Sequence, residues 1–105
     1  MNYTDEDIKR GLILNGSEKG VEYGLTSDRF TDDSYLWLEG NTLWLSVLIS
    51  KKEGQGYVRN IIDVAKKKGN KIMCMPVSSR MVGILEKNGF IQQGEYYVYG
   101  IEDKR

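Results

Sequence analysis

The sequence predicts an α/β (α+β) fold in which helices flank a mixed central sheet. Two β-rich runs at residues 35–38 and 43–49 are separated by a Gly-Asn turn, and an amphipathic pattern follows at residues 58–65. Strand-like and helical patterns then alternate up to residue 101. A chain of 105 residues supports one hydrophobic core, so we expect residues 1–105 to form a single domain.

The composition argues against several classes of function. The chain carries 15 acidic and 15 basic side chains, so no net charge attracts it to nucleic acid or to an anionic membrane. It has no histidine and a single cysteine, Cys74, which argues against zinc sites, disulfides and Ser-His or Cys-His catalysis. Because the sequence shows neither a signal peptide nor a long apolar span, we expect a cytoplasmic protein without membrane partners.

The N-terminal part of the chain predicts a short helix and a short strand. Thr4 is a candidate N-cap followed by three acidic residues, and Gly16 is a candidate helix end. Ile8 and Leu12 would belong to the apolar stripe of this helix. Residues 20–25 alternate between apolar and polar side chains, which predicts a strand.

From residue 35 onwards the pattern predicts a hairpin and then alternating helices and strands. The second hairpin strand, residues 43–49, is apolar at nearly every position, which suits a central strand covered on both faces. A surface helix follows, whose buried residues would be Val58, Ile61, Ile62 and Ala65. Its last turn contains the basic run 66–68, which we interpret as a helix end and not as a nucleic-acid patch. A strand at 71–75, a helix capped by Ser78 or Ser79 and a final strand pair complete the predicted order.

The most informative segment connects the apolar strand to the amphipathic helix. It contains Lys51-Lys52-Glu53-Gly54-Gln55-Gly56-Tyr57. Glycines allow a tight turn and let backbone N–H groups approach an anion, while the helix N-terminus adds unpaired donors and a positive dipole end. The spacing matches neither the P-loop nor a complete dinucleotide fingerprint. On its own, the segment is as consistent with a structural turn as with an anion site.

Together with the residues that follow, this segment resembles the GCN5-related N-acetyltransferase (GNAT) superfamily. The family pattern is Arg or Gln, two residues, Gly, one residue, and Gly or Ala, followed one helix and one strand later by a helix that runs into Gly-Phe. Lys51-x-x-Gly54-x-Gly56 and Gly89-Phe90 match it, and the resemblance covers residues 36–101. It implies a GNAT-like mixed sheet flanked by helices and truncated at the N-terminal side, where the family builds much of its acceptor site.

The resemblance implies an acyl-CoA-dependent N-acyltransferase that moves an acetyl group from acetyl-CoA to an amine by direct attack. The acceptor would be a small molecule or a protein lysine. Main-chain amides of residues 53–57 would bind the pyrophosphate, residues 48–50 would line the pantetheine arm, and an N–H near Leu48 would stabilise the oxyanion. The implied cofactor-binding residues are Leu48, Ile49, Ser50, Lys51, Lys52, Glu53, Gly54, Gln55, Gly56, Tyr57 and Ser78.

Catalytic groups are less well defined, because three positions depart from the family pattern. Lys51 replaces Arg or Gln, Ser78 replaces an asparagine, and Leu85 stands where a tyrosine often protonates the leaving thiolate. Glu39 is a candidate base and Tyr97 a candidate acid. Hairpin polarity and strand packing are the simpler explanations of these two side chains.

Two main classes of function stay open. The first is an N-acyltransferase whose acceptor groove is completed by a second subunit in a homodimer, or by a large acceptor that supplies its own surface. The second is a catalytically silent GNAT-like module that binds another protein. An unrelated small α/β interaction protein is a third alternative.

Overall fold

A six-stranded mixed sheet organises the chain, which is described from residue 4 to residue 100 in a computed structural model. Residue 101, included in the predicted last strand, lies outside the described residues. The elements in chain order are α1 Asp5–Arg10, β1 Leu12–Leu14, α2 Glu18–Tyr23, β2 Tyr35–Glu39, β3 Thr42–Val47, α3 Tyr57–Lys67, β4 Lys71–Cys74, α4 Ser79–Lys87, β5 Ile91–Gln93 and β6 Tyr96–Tyr99. The domain is therefore of the α+β class, as the sequence predicts.

The strand order is β1-β2-β3-β4-β6-β5, and β3 and β4 are the parallel pair within it. Helix α3 connects these two strands, and their register runs from Thr42 opposite Lys71 to Trp44 opposite Met73. Beyond Trp44, the described part of β3 continues to Val47 without pairing to β4. We call this end of the parallel pairing, at the C-terminal ends of the two strands, the opening.

The hydrophobic core lies between one sheet face and the helices. Buried residues of α3 and α4 pack there against side chains from all four central strands. The core members include Leu36, Leu43, Leu45, Val58, Ile61, Ile62, Ala65, Ile72, Cys74, Leu85 and Tyr97. The opposite face carries Trp37, Trp44 and Met73, which are only partly buried.

The prediction that β3 is covered on both faces is wrong. Leu43 and Leu45 are buried, Trp44 between them is partly buried, and Ser46 is exposed. A one-residue register shift between β2 and β3 follows Trp44. The strand also ends at Val47, two residues before the predicted end at Ile49.

The N-terminal helix ends earlier than predicted. It starts with a capping box in which Asp7 N donates to Thr4 Oγ1 at 3.2 Å and Thr4 N donates to Asp7 Oδ2 at 3.1 Å. It ends at Gly11, whose φ of +134° favours glycine. The predicted continuation to Gly16 is wrong, because Leu12–Leu14 form β1 and pair with β2.

The predicted strand at residues 20–25 is also wrong, because most of it belongs to α2. Ser17 caps this helix by accepting a hydrogen bond from Gly20 N at 3.0 Å, and Gly24 ends it in the left-handed conformation. Tyr23 is buried and Val21 is exposed. A segment this short satisfies the strand period and the helix period equally well, so the two caps decide its conformation.

The second half of the chain follows the prediction closely. The hairpin, α3, β4, the Ser78-capped α4 and the last strand pair are all present. The buried positions of α3 are those that the helical spacing predicts.

Candidate functional site

A cavity of about 550 Å³ opens beside the C-terminal end of β3, between the glycine turn and α4. It is lined by Leu48, Ile49, Ser50, Lys52, Glu53, Gly54, Gln55, Gly56, Tyr57, Val58, Arg59, Ser78, Arg80, Met81, Ile84, Lys87 and Asn88. Ligands of open α/β sheets commonly bind outside the carboxyl ends of parallel strands. The volume is in the range of small-molecule sites in proteins.

The wall formed by residues 48–50 is held by a loop that precedes β2. Thr31 N donates to Ile49 O at 2.9 Å, and Ile49 N donates to the buried Ser34 Oγ at 2.9 Å. Asn15 fixes this loop through its Nδ2, which donates to Phe30 O at 2.9 Å and to Thr31 O at 2.8 Å. Because both backbone polar groups of Ile49 are bonded, this part of the wall has a fixed position.

The glycine turn leaves its backbone donors free. Gly54 and Gly56 have φ of +81° and +75°, and Gly56 is the N-cap of α3 without a side chain to cap the helix. Within residues 4–100, the backbone N–H groups of residues 52–59 donate no hydrogen bond, and Asn60 N to Gly56 O at 2.9 Å is the first backbone bond of α3. All eight of these residues line the cavity. The turn therefore offers a run of unpaired donors at the positive end of a helix dipole.

The opposite wall comes from α4 and its two caps. Ser78 caps this helix by accepting a hydrogen bond from Met81 N at 3.2 Å, so its hydroxyl proton remains available. Met81 and Ile84 contribute apolar surface to the cavity. This wall is thus suited to an apolar chain that carries a few polar groups.

Basic side chains dominate the charge of the cavity. Lys52, Arg59, Arg80 and Lys87 line it. Among the described residues of the lining, Glu53 is the only acidic one. The chain as a whole has no net charge, so the positive charge is concentrated here. Such an arrangement favours an anionic ligand.

The structure brings together all but one of the predicted cofactor-binding residues. Lys51 is the exception: its backbone N–H donates to Arg29 O at 2.7 Å, and it does not line the cavity. The prediction that Lys51 lies near phosphate oxygens stays a prediction, since the cavity lining does not include this residue.

The two weak catalytic candidates lie outside the cavity lining. Glu39 pairs with Thr42 at the start of β3, six residues before Leu48, which places it about 20 Å from the cavity along the strand. Tyr97 is buried in the sheet, where it pairs with Cys74 and Gln92. Leu85 is fully buried in the core. Glu39 and Tyr97 do not line the cavity, and their catalytic roles stay predictions.

The sequence interpretation missed most of the α4 wall. Arg80, Met81, Ile84, Lys87 and Asn88 line the cavity and repeat at helical spacing. The sequence interpretation gave Met81, Val82 and Leu85 as the apolar residues of this helix and did not assign Met81 to a site. Arg59 was missed because it belongs to the polar face of α3, which predicts exposure to solvent.

Residues 4–100 were compared with the requirements of metal sites, membrane spans and reactive cysteines. No group of three or more His, Cys, Asp or Glu side chains within this range could hold a metal ion. No helix in the same range is long and apolar enough to cross a bilayer. Burial raises the pKa of the Cys74 thiol to about 11, so this residue is not a thiolate near neutral pH.

Comparisons with known proteins leave the function to be argued from the site itself. No protein-family model, curated protein or solved structure matches the chain.

Proposed function

We propose that this chain is an acyl-CoA-dependent N-acyltransferase with a GNAT-like fold. The observation that carries the proposal is the run of unpaired backbone donors at residues 52–59 along the edge of a basic cavity. A diphosphate bound there would satisfy donors that the fold leaves free, in the field of the α3 dipole. Acetyl-CoA is the acyl donor that we propose.

The sheet supports the same proposal. The sequence resemblance implies that the pantetheine arm lies where two parallel strands separate, and pairing of β3 with β4 stops at Trp44 and Met73. The cavity begins on the β3 side of that opening, at residues 48–50. An arm anchored by its diphosphate at the glycine turn would pass between Leu48 and Ile84 toward the opening.

The residues of the chain would mainly bind and orient the reactants. Acetyl-CoA supplies an acyl group activated as a thioester. A neutral amine attacks this group, forming the C–N bond as the C–S bond breaks, and the amine then loses a proton. Glu53 is the only acidic residue in the described lining and belongs to the glycine turn, at the diphosphate end of the proposed arm and not at its thioester end, so we assign the ammonium proton and the protonation of the thiolate to solvent water.

A glycine substitution at the turn tests the donor run. Gly56→Glu places a carboxylate among the amides, and we expect CoA binding measured by isothermal titration to weaken at least about a hundredfold. Gly69→Glu is the matched control, because Gly69 has a similar φ of +80° against +75° and likewise has open space around it, but it lies at the other end of α3. Both variants should lose similar stability from backbone strain.

The control variant should bind CoA as the wild type does. Failure of wild-type protein to bind CoA at millimolar concentration would reject the proposal. Wild-type affinity in Gly56→Glu would reject the assigned position of the diphosphate.

A catalytically silent CoA-binding module is the second candidate. It is favoured by the burial of Leu85 at the position of the family tyrosine and by the distance of Glu39 from the cavity. In this case the cofactor pocket would be retained and the protein would act by docking on another protein. Release of free CoA thiol from acetyl-CoA in the presence of candidate amines separates the two candidates, because only an acyltransferase releases it.

A further inference from the structure

Glu53 is an unexpected residue in a site for an anion. It belongs to the glycine turn, and its charge opposes that of any diphosphate bound to the neighbouring amides. Within the described lining no other acidic side chain occurs. A carboxylate at this position therefore requires an explanation that the amide donors do not provide.

The partner of Glu53 lies on the opposite wall. Arg80 Nη1 is 3.9 Å from Glu53 Oε1, and this ion pair links the glycine turn to the first turn of α4. The pairs Glu6–Arg10 and Arg59–Asp63 each join residues within one helix. Among the ion pairs described, Glu53–Arg80 is the one with both partners in the cavity lining.

The ion pair is weak enough to be exchanged. The side chains of Arg80 and Glu53 are 54% and 75% exposed, and exposed pairs of this kind contribute little to stability. A phosphate group offers Arg a stronger, bidentate partner than one distant carboxylate oxygen. A diphosphate at the cavity mouth would thus compete successfully for Arg80.

We propose that Glu53 and Arg80 form a charge-exchange pair that makes the site selective for ligands with a phosphate group at the cavity mouth. In the free protein Glu53 forms an ion pair with Arg80 across the cavity. When a phosphate group binds, it displaces Glu53 and forms the ion pair with Arg80 instead. Glu53 lowers the affinity for every anion, and an anion that forms a bidentate pair with Arg80 recovers part of this loss. This inference rests on the proposed acyl-CoA site.

A double-mutant cycle on CoA affinity tests the exchange. Glu53→Gln should tighten CoA binding about fivefold, because it removes both repulsion and competition for Arg80. Arg80→Gln should weaken it about tenfold. In the Arg80→Gln background, Glu53→Gln should tighten binding by less than about twofold, since only the repulsion is then removed.

Glu86→Gln is the matched control, because it makes the same charge change on α4 outside the cavity lining. It should leave CoA affinity within about 1.5-fold of wild type. An equal gain from Glu53→Gln in both backgrounds, or the same gain from Glu86→Gln, would overturn the exchange while leaving the acyl-CoA site intact. Absence of CoA binding to wild-type protein would instead reject the proposed function and the exchange with it.

Discussion

The residues of the cavity act in two ways. Some present backbone N–H donors, and others carry charged side chains. Gly54 and Gly56 act through their conformation, and a Cβ at either one would meet nothing within 4 Å. Their role is therefore to permit positive φ, not to make room. Arg59, Arg80 and Lys87 add positive charge from two different helices. Substitution of a glycine should therefore strain the backbone, whereas substitution of a basic residue should change only the charge of the cavity.

Cys74 gives the pH dependence of stability a defined cause. Burial raises the pKa of its thiol to about 11 from 9.0, so the unfolded chain loses this proton at lower pH than the folded protein does. The contribution to stability is constant below pH 9.0 and falls as the pH rises toward about 11. Burial also raises the pKa of Tyr23, which acts in the same direction.

Replacing Cys74 should reduce the loss of folding stability at alkaline pH. Between pH 7.5 and 10.5 we expect the free energy of unfolding of the wild type to fall by about 2 kcal/mol more than that of Cys74→Val. Urea unfolding at the two pH values measures the difference. Parallel losses in the two proteins would show that Cys74 does not cause the pH dependence.

The strand β1 depends on one glycine that the sequence interpretation placed inside a helix. A Cβ on Gly11 would overlap the carbonyl oxygen of Leu38 at the edge of β2, and its φ is +134°. Gly11→Ala should therefore cost more than about 3 kcal/mol of unfolding free energy. Gly40→Ala, at φ +61° with nothing within 4 Å, adds left-handed strain without a steric overlap and should cost about 1 kcal/mol.

Urea unfolding followed by circular dichroism compares these two variants. Equal destabilisation would mean that Gly11 does not lie against Leu38, and that β1 is not seated at the edge of the sheet.

The errors of sequence interpretation among the elements have a physical cause. Long elements with a sustained amphipathic pattern, such as α3, could be located from the spacing of their apolar residues alone. The segments before residue 25 are too short to distinguish the helical period from the strand period. Their ends are instead decided by the caps, Thr4 and Gly11 for α1 and Ser17 and Gly24 for α2. Thr4 was recognised as a cap, whereas Gly11 was not recognised as a helix end.

For the whole molecule, the sequence predicted one wall of the cavity and, from the other wall, only Ser78. The wall at residues 48–57 is continuous in the chain and could be found from a local pattern. The α4 wall and the Glu53–Arg80 pair depend on how the chain returns to the sheet after β4, which local spacing does not encode. The same limit applies to Glu39, whose position at the far end of β3 follows from strand register.

The arrangement of the sheet places the proposed chemistry at a single opening. One parallel pair, joined by α3, accounts for both the end of the β3–β4 pairing and the helix N-terminus beside it. The donors, the basic side chains and the apolar wall consequently converge on one cavity. The amine acceptor and the homodimer remain predictions.

Backbone amide NMR spectra during a titration with CoA test the central claim most directly. We predict that the largest changes of amide proton and nitrogen shifts fall on residues 52–59, because their N–H groups acquire phosphate acceptors. Smaller changes should follow the α4 wall. Unchanged amide shifts at residues 52–59 with millimolar CoA, or changes confined to other parts of the chain, would contradict the account.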